Sequence, residues 1–332
     1  MERILVIQTA FIGDVILATG VVEKLARRFP DAQLDMAVRG GNQSLLNGNP
    51  HLNAVLVWDK KSAKYRNLWR LLRTIRSRKY DAVITLQRYA SSGVLCGFSG
   101  AEYRAGFKQN PLSWRFTHTA GHQIASEPGS PHEVERNHQL VYPLTDTAPA
   151  MPRLYPSDED RKAVAAYQQG QYVCLAPSSV WFTKRWPTTY WEEVMNARPE
   201  VTFYLLGAPG EREELEAMVA HRPHVHNLAG QLTLLQSAAL IQGAAMNVVN
   251  DSGPLHLCSA MEAPVTALFC NTVSAFGFGP LGKDAVVLET QEELACRPCG
   301  ITGKKACPIG HFRCGHSIGV NRVLARIDQS LK

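Results

Sequence analysis

No stretch of this 332-residue chain approaches the ~20 consecutive apolar residues needed to cross a bilayer. The start, Met1-Glu2-Arg3-Ile4-Leu5-Val6-Ile7-Gln8, has no basic opening, long apolar segment or small-residue cleavage site, so a secretory signal is not expected. Both absences point to the cytoplasm. Charged residues make up only 19% of the chain and hydrophobic ones 45%, which excludes a disordered or fibrous protein. There is no repeat at solenoid periods and no low-complexity tract. No G-x-G-x-x-G follows the first apolar run, which argues against a dinucleotide-dependent dehydrogenase. No serine or cysteine stands in an arrangement that marks a nucleophile with a histidine base.

Acids are also absent between Lys60 and Lys79, where nine basic residues stand. Tyr65, Leu68, Trp69, Leu72 and Ile75 recur there at helical spacing, which predicts an amphipathic helix with a basic outer face. That face suits plain solvation, or contact with an anionic substrate or membrane surface. The aromatics do not interleave with the basic residues as a stacking platform would require, so nucleic acid is not an expected partner.

Strand-like and helix-like segments alternate from the first residue. Runs such as Arg3 to Gln8, Gln33 to Val38 and Ala82 to Leu86 read as strands, with helical patterns at Asp14 to Phe29 and Ala90 to Phe98. Pro149, Pro152 and Pro156 interrupt the rhythm, which then resumes with strands at Tyr172 to Ala176, Thr202 to Leu206, Met246 to Asn250 and Val265 to Phe269. This order predicts an α/β protein of two doubly wound, parallel-sheet domains, at residues 1–150 and 151–332. Such sheets bind ligands beyond the carboxyl ends of their strands, so two of them are expected to face a common cleft.

The candidate residues all fall on turns of that kind. Asn250-Asp251-Ser252-Gly253-Pro254-Leu255-His256 joins an apolar strand to a helix start, where unpaired N–H groups attract phosphate. Asp251 and His256 can hydrogen-bond a sugar or phosphate beside it. Gly13-Asp14 stands at the first strand-to-helix turn. Its carboxylate fits either a helix cap or a general base kept ionised by helix-start N–H groups. Ser178, Ser179 and Lys184 lie on one loop and suit a diphosphate, with the lysine as a point charge. Glu211, after the turn Gly207-Ala208-Pro209-Gly210, is a candidate ribose ligand, with Glu213 and Glu214 competing for that role. Cys296, Cys299, Cys307 and Cys314, with His311 and His316 nearby, form C-x2-C-x7-C-x6-C. That cluster fits a small structural zinc loop or reduced thiols better than disulfides.

Taken in order, the Ile4-Leu5-Val6 strand leading to Gly13-Asp14-Val15-Ile16, the Ser178-Ser179 loop with Lys184-Arg185-Trp186-Pro187, Gly230-Gln231, and Asp251-Ser252-Gly253-Pro254-Leu255-His256 resemble glycosyltransferase family 9. These are the ADP-heptose:lipopolysaccharide heptosyltransferases. The resemblance spans nearly the whole chain. It implies a GT-B architecture and an inverting transfer of heptose from ADP-L-glycero-D-manno-heptose to the lipopolysaccharide inner core, without a catalytic metal.

Carried over residue by residue, Asp14 would be the general base, Lys184 would neutralise the departing ADP, and Asp251 would hold the donor heptose. Ser252, Gly253, Pro254 and His256 would line the diphosphate site, with Ser178 and Ser179 across from them, Gly13 beside the base, and Glu211 on the ribose. The N-terminal domain would take the lipopolysaccharide acceptor. The basic 60–79 helix would face its acidic groups or the inner membrane, making the enzyme peripheral on the cytoplasmic face. The alternatives are a family member with another nucleotide sugar or acceptor, and a non-catalytic nucleotide- or carbohydrate-binding protein of the same fold. A cysteine-bearing segment near the C-terminus also resembles a subset of the family.

Overall fold

The computed structural model describes residues 1–332. The chain divides into two compact units, Met1–Gln123 with Pro131–Tyr155, and Ile124–Ser130 with Pro156–Lys332. The change-over at Tyr155 and Pro156 lies within the proline-bearing stretch.

In the first unit six strands, β1 (Arg3–Gln8), β2 (Gln33–Arg39), β3 (Leu52–Trp58), β4 (Ala82–Thr85), β5 (Tyr103–Phe107) and β6 (His118–Ala120), form one sheet in the order β3-β2-β1-β4-β5-β6. Each neighbouring pair is parallel. Four helices, α1 (Ile12–Arg28), α2 (Lys64–Arg78), α3 (Ala90–Gly97) and α4 (Glu133–His138), accompany it. The strands are apolar on both faces because helices cover both, as a parallel sheet requires; Ile4, Leu5, Val6 and Ile7 are all buried. A core of Leu5, Ile7, Ala37, Trp58, Leu68, Leu72, Ile75, Val83 and Leu95 ties the sheet to α2 and α3.

The second unit repeats the plan. Strands β7 (Tyr172–Ala176), β8 (Thr202–Leu205), β9 (Val225–Asn227), β10 (Met246–Asn250), β11 (Val265–Phe269) and β12 (Ala285–Glu289) are ordered β12-β11-β10-β7-β8-β9, again all parallel. Its helices are α5 (Asp158–Val164), α6 (Thr188–Asn196), α7 (Arg212–Val219), α8 (Leu234–Gly243), α9 (Gly253–Ala260), α10 (Arg313–His316) and α11 (Val320–Ser330). Trp186 and Trp191 stack edge to face at 5.2 Å in a core with Val173, Leu175, Phe203 and Ile327. Both sheets therefore have the doubly wound order 3-2-1-4-5-6. Each has a switch point where successive crossovers leave in opposite directions, between β1 and β4 and between β7 and β10.

Helix α2 departs from expectation in one respect. Leu68, Leu71, Leu72 and Ile75 are buried, whereas Tyr65 is 72% exposed and Trp69 57% exposed. The apolar stripe is narrower than the spacing suggests, and two aromatics share the outer face with Arg66, Arg70 and Arg73. Three buried leucines and an isoleucine, at about 1.5–3 kcal/mol each, are enough to hold the helix to the sheet without them. No helix is long and apolar enough to cross a membrane.

Candidate active site

Each candidate turn sits at the carboxyl end of a strand, and the main ones flank the switch points. In the first unit β1 runs into the turn Thr9-Ala10-Phe11, and α1 begins at once. Gly13 is the second residue of the helix and Asp14 the third, in reach of the turn it closes. The Asp14 carboxylate accepts a hydrogen bond from the Phe11 backbone N–H at 3.2 Å, half of a capping box. Asp14 keeps a solvent-accessible edge, yet its carboxyl group is packed round by protein. Burial and, second to it, the negative charge of Glu133 push its pKa up to about 6, against the pull of the Phe11 N–H and His122. The helix start thus does not hold this acid at its ordinary value. The outcome is a stronger base that is still largely ionised at neutral pH.

Several polar side chains fix that turn. Gln87 accepts from the Thr9 hydroxyl at 2.7 Å, and Asn42 donates to the Ala10 carbonyl at 3.1 Å. The Lys60 ammonium donates to the Thr9 carbonyl at 2.6 Å and lies 4.4 Å over the Trp58 ring. Partial burial, then the cations Arg39 and Lys64, lower the Lys60 pKa to about 8. Arg39 in turn stands over the Phe11 ring. Like charges gathered in this way favour an anionic ligand.

In the second unit the β7 and β10 turns come together at the switch point. Lys184 and Asp251 form an ion pair at 2.5 Å, both mostly buried, and the Thr272 hydroxyl donates to the same carboxylate oxygen at 2.7 Å. Asn250 joins the two turns: its side-chain carbonyl accepts from the Trp186 N–H at 3.1 Å, and its amide donates to the Pro177 carbonyl at 2.7 Å. Ser178 has a buried hydroxyl with no protein partner, while the Ser179 carbonyl is held by Arg185 at 2.7 Å. Ser252 stands at the N-cap position of α9 with its hydroxyl donating to the Asn250 carbonyl at 3.3 Å; Gly253 and Pro254 open that helix, and His256 lies buried one turn in. A helix N-terminus, a lysine and an unsatisfied hydroxyl are groups that can hold an anion.

Glu211 is brought to the rim differently. Its carboxylate accepts from the Ala208 backbone N–H at 2.7 Å and so closes the β8 turn on itself. Glu214 is paired with Arg185 at 2.8 Å, and Glu213 is exposed.

Cys296, Cys299, Cys307, Cys314 and His311 do line one cavity, of about 40 Å³. Cys296 Sγ approaches His311 Nε2 only to 3.9 Å, and no three ligand-type side chains converge as a metal site requires. Backbone N–H groups of Phe312, Ile309, Gly310 and His311 nevertheless lower the Cys307 pKa against a desolvation effect that raises it. Burial, then the neighbouring thiols, raises Cys314 to about 11. As folded, the segment is a cluster of free thiols. Cys96, Cys174, Cys258 and Cys270 are core residues.

Sequence reasoning missed Asn250, Thr272 and the group His122, Glu133 and Arg136. Asn250 had a signal, since an amide ending an apolar strand beside Asp251 must find partners. Thr272 had none, because nothing in its spacing ties it to Asp251. Glu133 and Arg136 lie in a polar run, 132–138, that reads as a surface segment.

The chain is similar to known proteins over most of its length. Residues 68–307, well over half of the chain, match glycosyltransferase family 9 (heptosyltransferase). Lipopolysaccharide heptosyltransferase 1 of Pseudomonas aeruginosa is 29% identical, with 92% of this chain and 87% of that protein covered. Among solved structures, E. coli ADP-heptose lps heptosyltransferase II superposes with a TM-score of 0.81 at 21% identity, covering 100% of this chain and 98% of that one. E. coli heptosyltransferase WaaC with ADP-2-deoxy-2-fluoro heptose superposes at 0.73 and 18% identity, covering 99% of each. At those identities the structural likenesses establish the GT-B fold. The family match goes further: the chain belongs to glycosyltransferase family 9, and it is a glycosyltransferase.

Proposed function

We propose that this enzyme transfers a heptose from ADP-L-glycero-D-manno-heptose to a hydroxyl of the lipopolysaccharide inner core, with inversion and without a catalytic metal. The observation that carries the reading is the Lys184–Asp251–Thr272 cluster at the start of α9. The relatives named for lipopolysaccharide heptose transfer, and the neighbour solved with an ADP-heptose analogue, supply the sugar and the nucleotide.

On this reading the second unit holds the donor and the first unit binds the acceptor. Asp14 takes the proton of the acceptor hydroxyl as its oxygen bonds to the anomeric carbon. The bond from that carbon to the ADP oxygen breaks, and negative charge builds on the diphosphate. Lys184, the α9 N-terminus and Ser178 stabilise that charge where it develops. In the free protein Asp251 holds the lysine in place. An arriving diphosphate competes for the ammonium and releases Asp251 toward the heptose hydroxyls. Glu211 is the ribose ligand of this scheme, once it gives up the Ala208 N–H. Lys60 and its neighbouring cations take an acidic group of the acceptor.

The outer face of α2 is read as the contact with an anionic inner-membrane surface on the cytoplasmic side. Arg76 donates to the Phe98 carbonyl at 3.3 Å, and the Arg115 guanidinium lies 4.3 Å from the Phe98 ring and 5.3 Å from that of Trp114, which is 73% exposed. Tyr65, Trp69, Phe98 and Trp114 with their arginines thus extend the basic face into an amphipathic patch of the kind that rests among lipid headgroups.

Four outcomes check these roles. Asp14→Ala should abolish transfer while leaving ADP affinity unchanged by calorimetry. In the wild type, log kcat/KM should fall with unit slope as pH drops below about 6, because the base is lost on protonation. Unaltered turnover in the variant removes the base assignment. Lys184→Ala should weaken ADP binding by about 1.5–3 kcal/mol, the size of a charged hydrogen bond. Equal affinity moves the diphosphate elsewhere. Turnover should survive excess EDTA, and a fall in melting temperature under the same treatment would assign a structural metal to the cysteine cluster. Co-sedimentation with vesicles containing phosphatidylglycerol, but not with phosphatidylcholine alone, should be lost in a Trp69→Ala, Trp114→Ala double variant. Equal binding to both vesicle types rejects the membrane contact.

A further inference from the structure

The first unit buries a charged group that neither the fold nor the reaction as written employs. Glu133 opens α4 and is 4% exposed; Arg136 one turn later is 1% exposed, and His122, just beyond β6, is 6% exposed. The His122 Nε2 stands 3.1 and 3.0 Å from the two carboxylate oxygens of Glu133, and the Arg136 Nε donates to one of them at 2.8 Å. A carboxylate only accepts, so His122 Nε2 carries the hydrogen. Its Nδ1 is buried and has no hydrogen-bond partner.

Such a cluster is poor value for stability alone, since a buried ion pair is often matched or bettered by apolar residues of the same volume. It has a neighbour that makes sense of it. Helix α4 packs along α1, the helix that Asp14 helps to open, with the His138 ring beside Gly20, and the Glu133 carboxylate acts on Asp14 as a like charge. We propose that the Glu133–His122–Arg136 cluster belongs to the transfer apparatus and acts through Asp14, as a fixed charge that governs how readily that carboxylate accepts the proton of the incoming hydroxyl. Glu133 is then a positioning residue, and the proposal rests on the reading of Asp14 as the general base.

The electrostatics have a definite sense. A negative charge beside Asp14 disfavours its ionised form and makes it the stronger base; the nitrogens bonded to Glu133 offset part of that charge. Other charges stand further off. Arg39 and Lys60 approach the turn before Asp14, while Lys24 and His138 lie toward the other end of α1. Glu135 of α4 is spent on the His132 N–H at 2.6 Å.

Two variants must therefore move the acid limb of the pH profile in opposite directions. Glu133→Gln keeps the shape and one acceptor oxygen but removes the charge. The limb in kcat/KM, measured with ADP-heptose and core-truncated lipopolysaccharide, should shift to lower pH by roughly one unit, the order of effect of losing one neighbouring charge. The rate on the plateau should fall several-fold, because the base is weaker. His122→Asn removes the ring N–H that donates to Glu133 and leaves that carboxylate less compensated, so the limb should shift to higher pH.

The carboxyl-carbon resonance of Asp14, assigned by its absence in Asp14→Asn, should follow the same two shifts in substrate-free protein. A merely structural cluster would give lower activity in both variants with the limb and the resonance unmoved, or moved the same way, and either result overturns the proposal. If Glu133→Gln does not fold, His122→Asn decides alone: an upward shift supports the cluster and no shift rejects it. An Asp14→Ala enzyme that still turns over would instead remove the reading on which the proposal stands.

Discussion

A parallel ladder has one consequence from which the rest of this protein follows: all strands end at the same edge. Each crossover returns to the opposite edge before the next strand begins, so every β-to-α turn of a unit is delivered to one side. Residues far apart in sequence then meet without long loops. Lys184 and Asp251 stand 2.5 Å apart because β7 and β10 are neighbours in register, with Val249 opposite Ala176. At the switch point the helices leave in opposite directions, and the gap between them gives room for a ligand and for polar side chains such as Asn250 and Thr272.

Polar groups in such a gap are costly unless paired, and the way each is paired carries chemical meaning. The Asp251 Oδ2 is met by a lysine and a threonine, which offset the cost of placing a carboxylate in a mostly buried position. Asp14 is packed round by protein with an acid for a neighbour, and the backbone N–H groups it meets do not offset this, so its charge is penalised. Two carboxylates at equivalent turns of the same fold thus have different company: one is held by a cation and a hydroxyl, the other stands beside a second acid. The same contrast separates Ser178, whose buried hydroxyl awaits a partner, from Glu211, whose carboxylate is occupied by its own turn.

Much of this was legible in the amino-acid order. Alternation of apolar runs with helical patterns gave the two parallel sheets, since strand and helix periods differ and prolines mark the break. The strand-to-helix turns gave Asp14, Lys184 and Asp251, because helix starts and strand ends have distinctive residues. Short or polar elements were not legible: β6 is the three residues His118, Thr119 and Ala120, and α4 is six residues with one apolar side chain. β12 and α11 lay outside the expected elements, although Val320, Val323, Leu324 and Ile327 carry a helical spacing. Partnerships were the hidden part. Asp14 has an acid at its side only because α4 packs against α1 after a chain excursion of more than a hundred residues, and periodicity says nothing about such a neighbour.

The same distinction bears on the cysteines. Their spacing invites a metal, but spacing fixes only which thiols share a segment, not where their sulfurs point. Cys307 is bound into a turn whose N–H groups favour thiolate, whereas Cys314 is packed into the core beside Phe312 and Ile318, where the neutral thiol is favoured. On the proposed reading, a leaving diphosphate meets a lysine and a helix start that the fold already brings to one switch point. Groups placed in this way would stabilise the departing charge without being rearranged as the bond breaks.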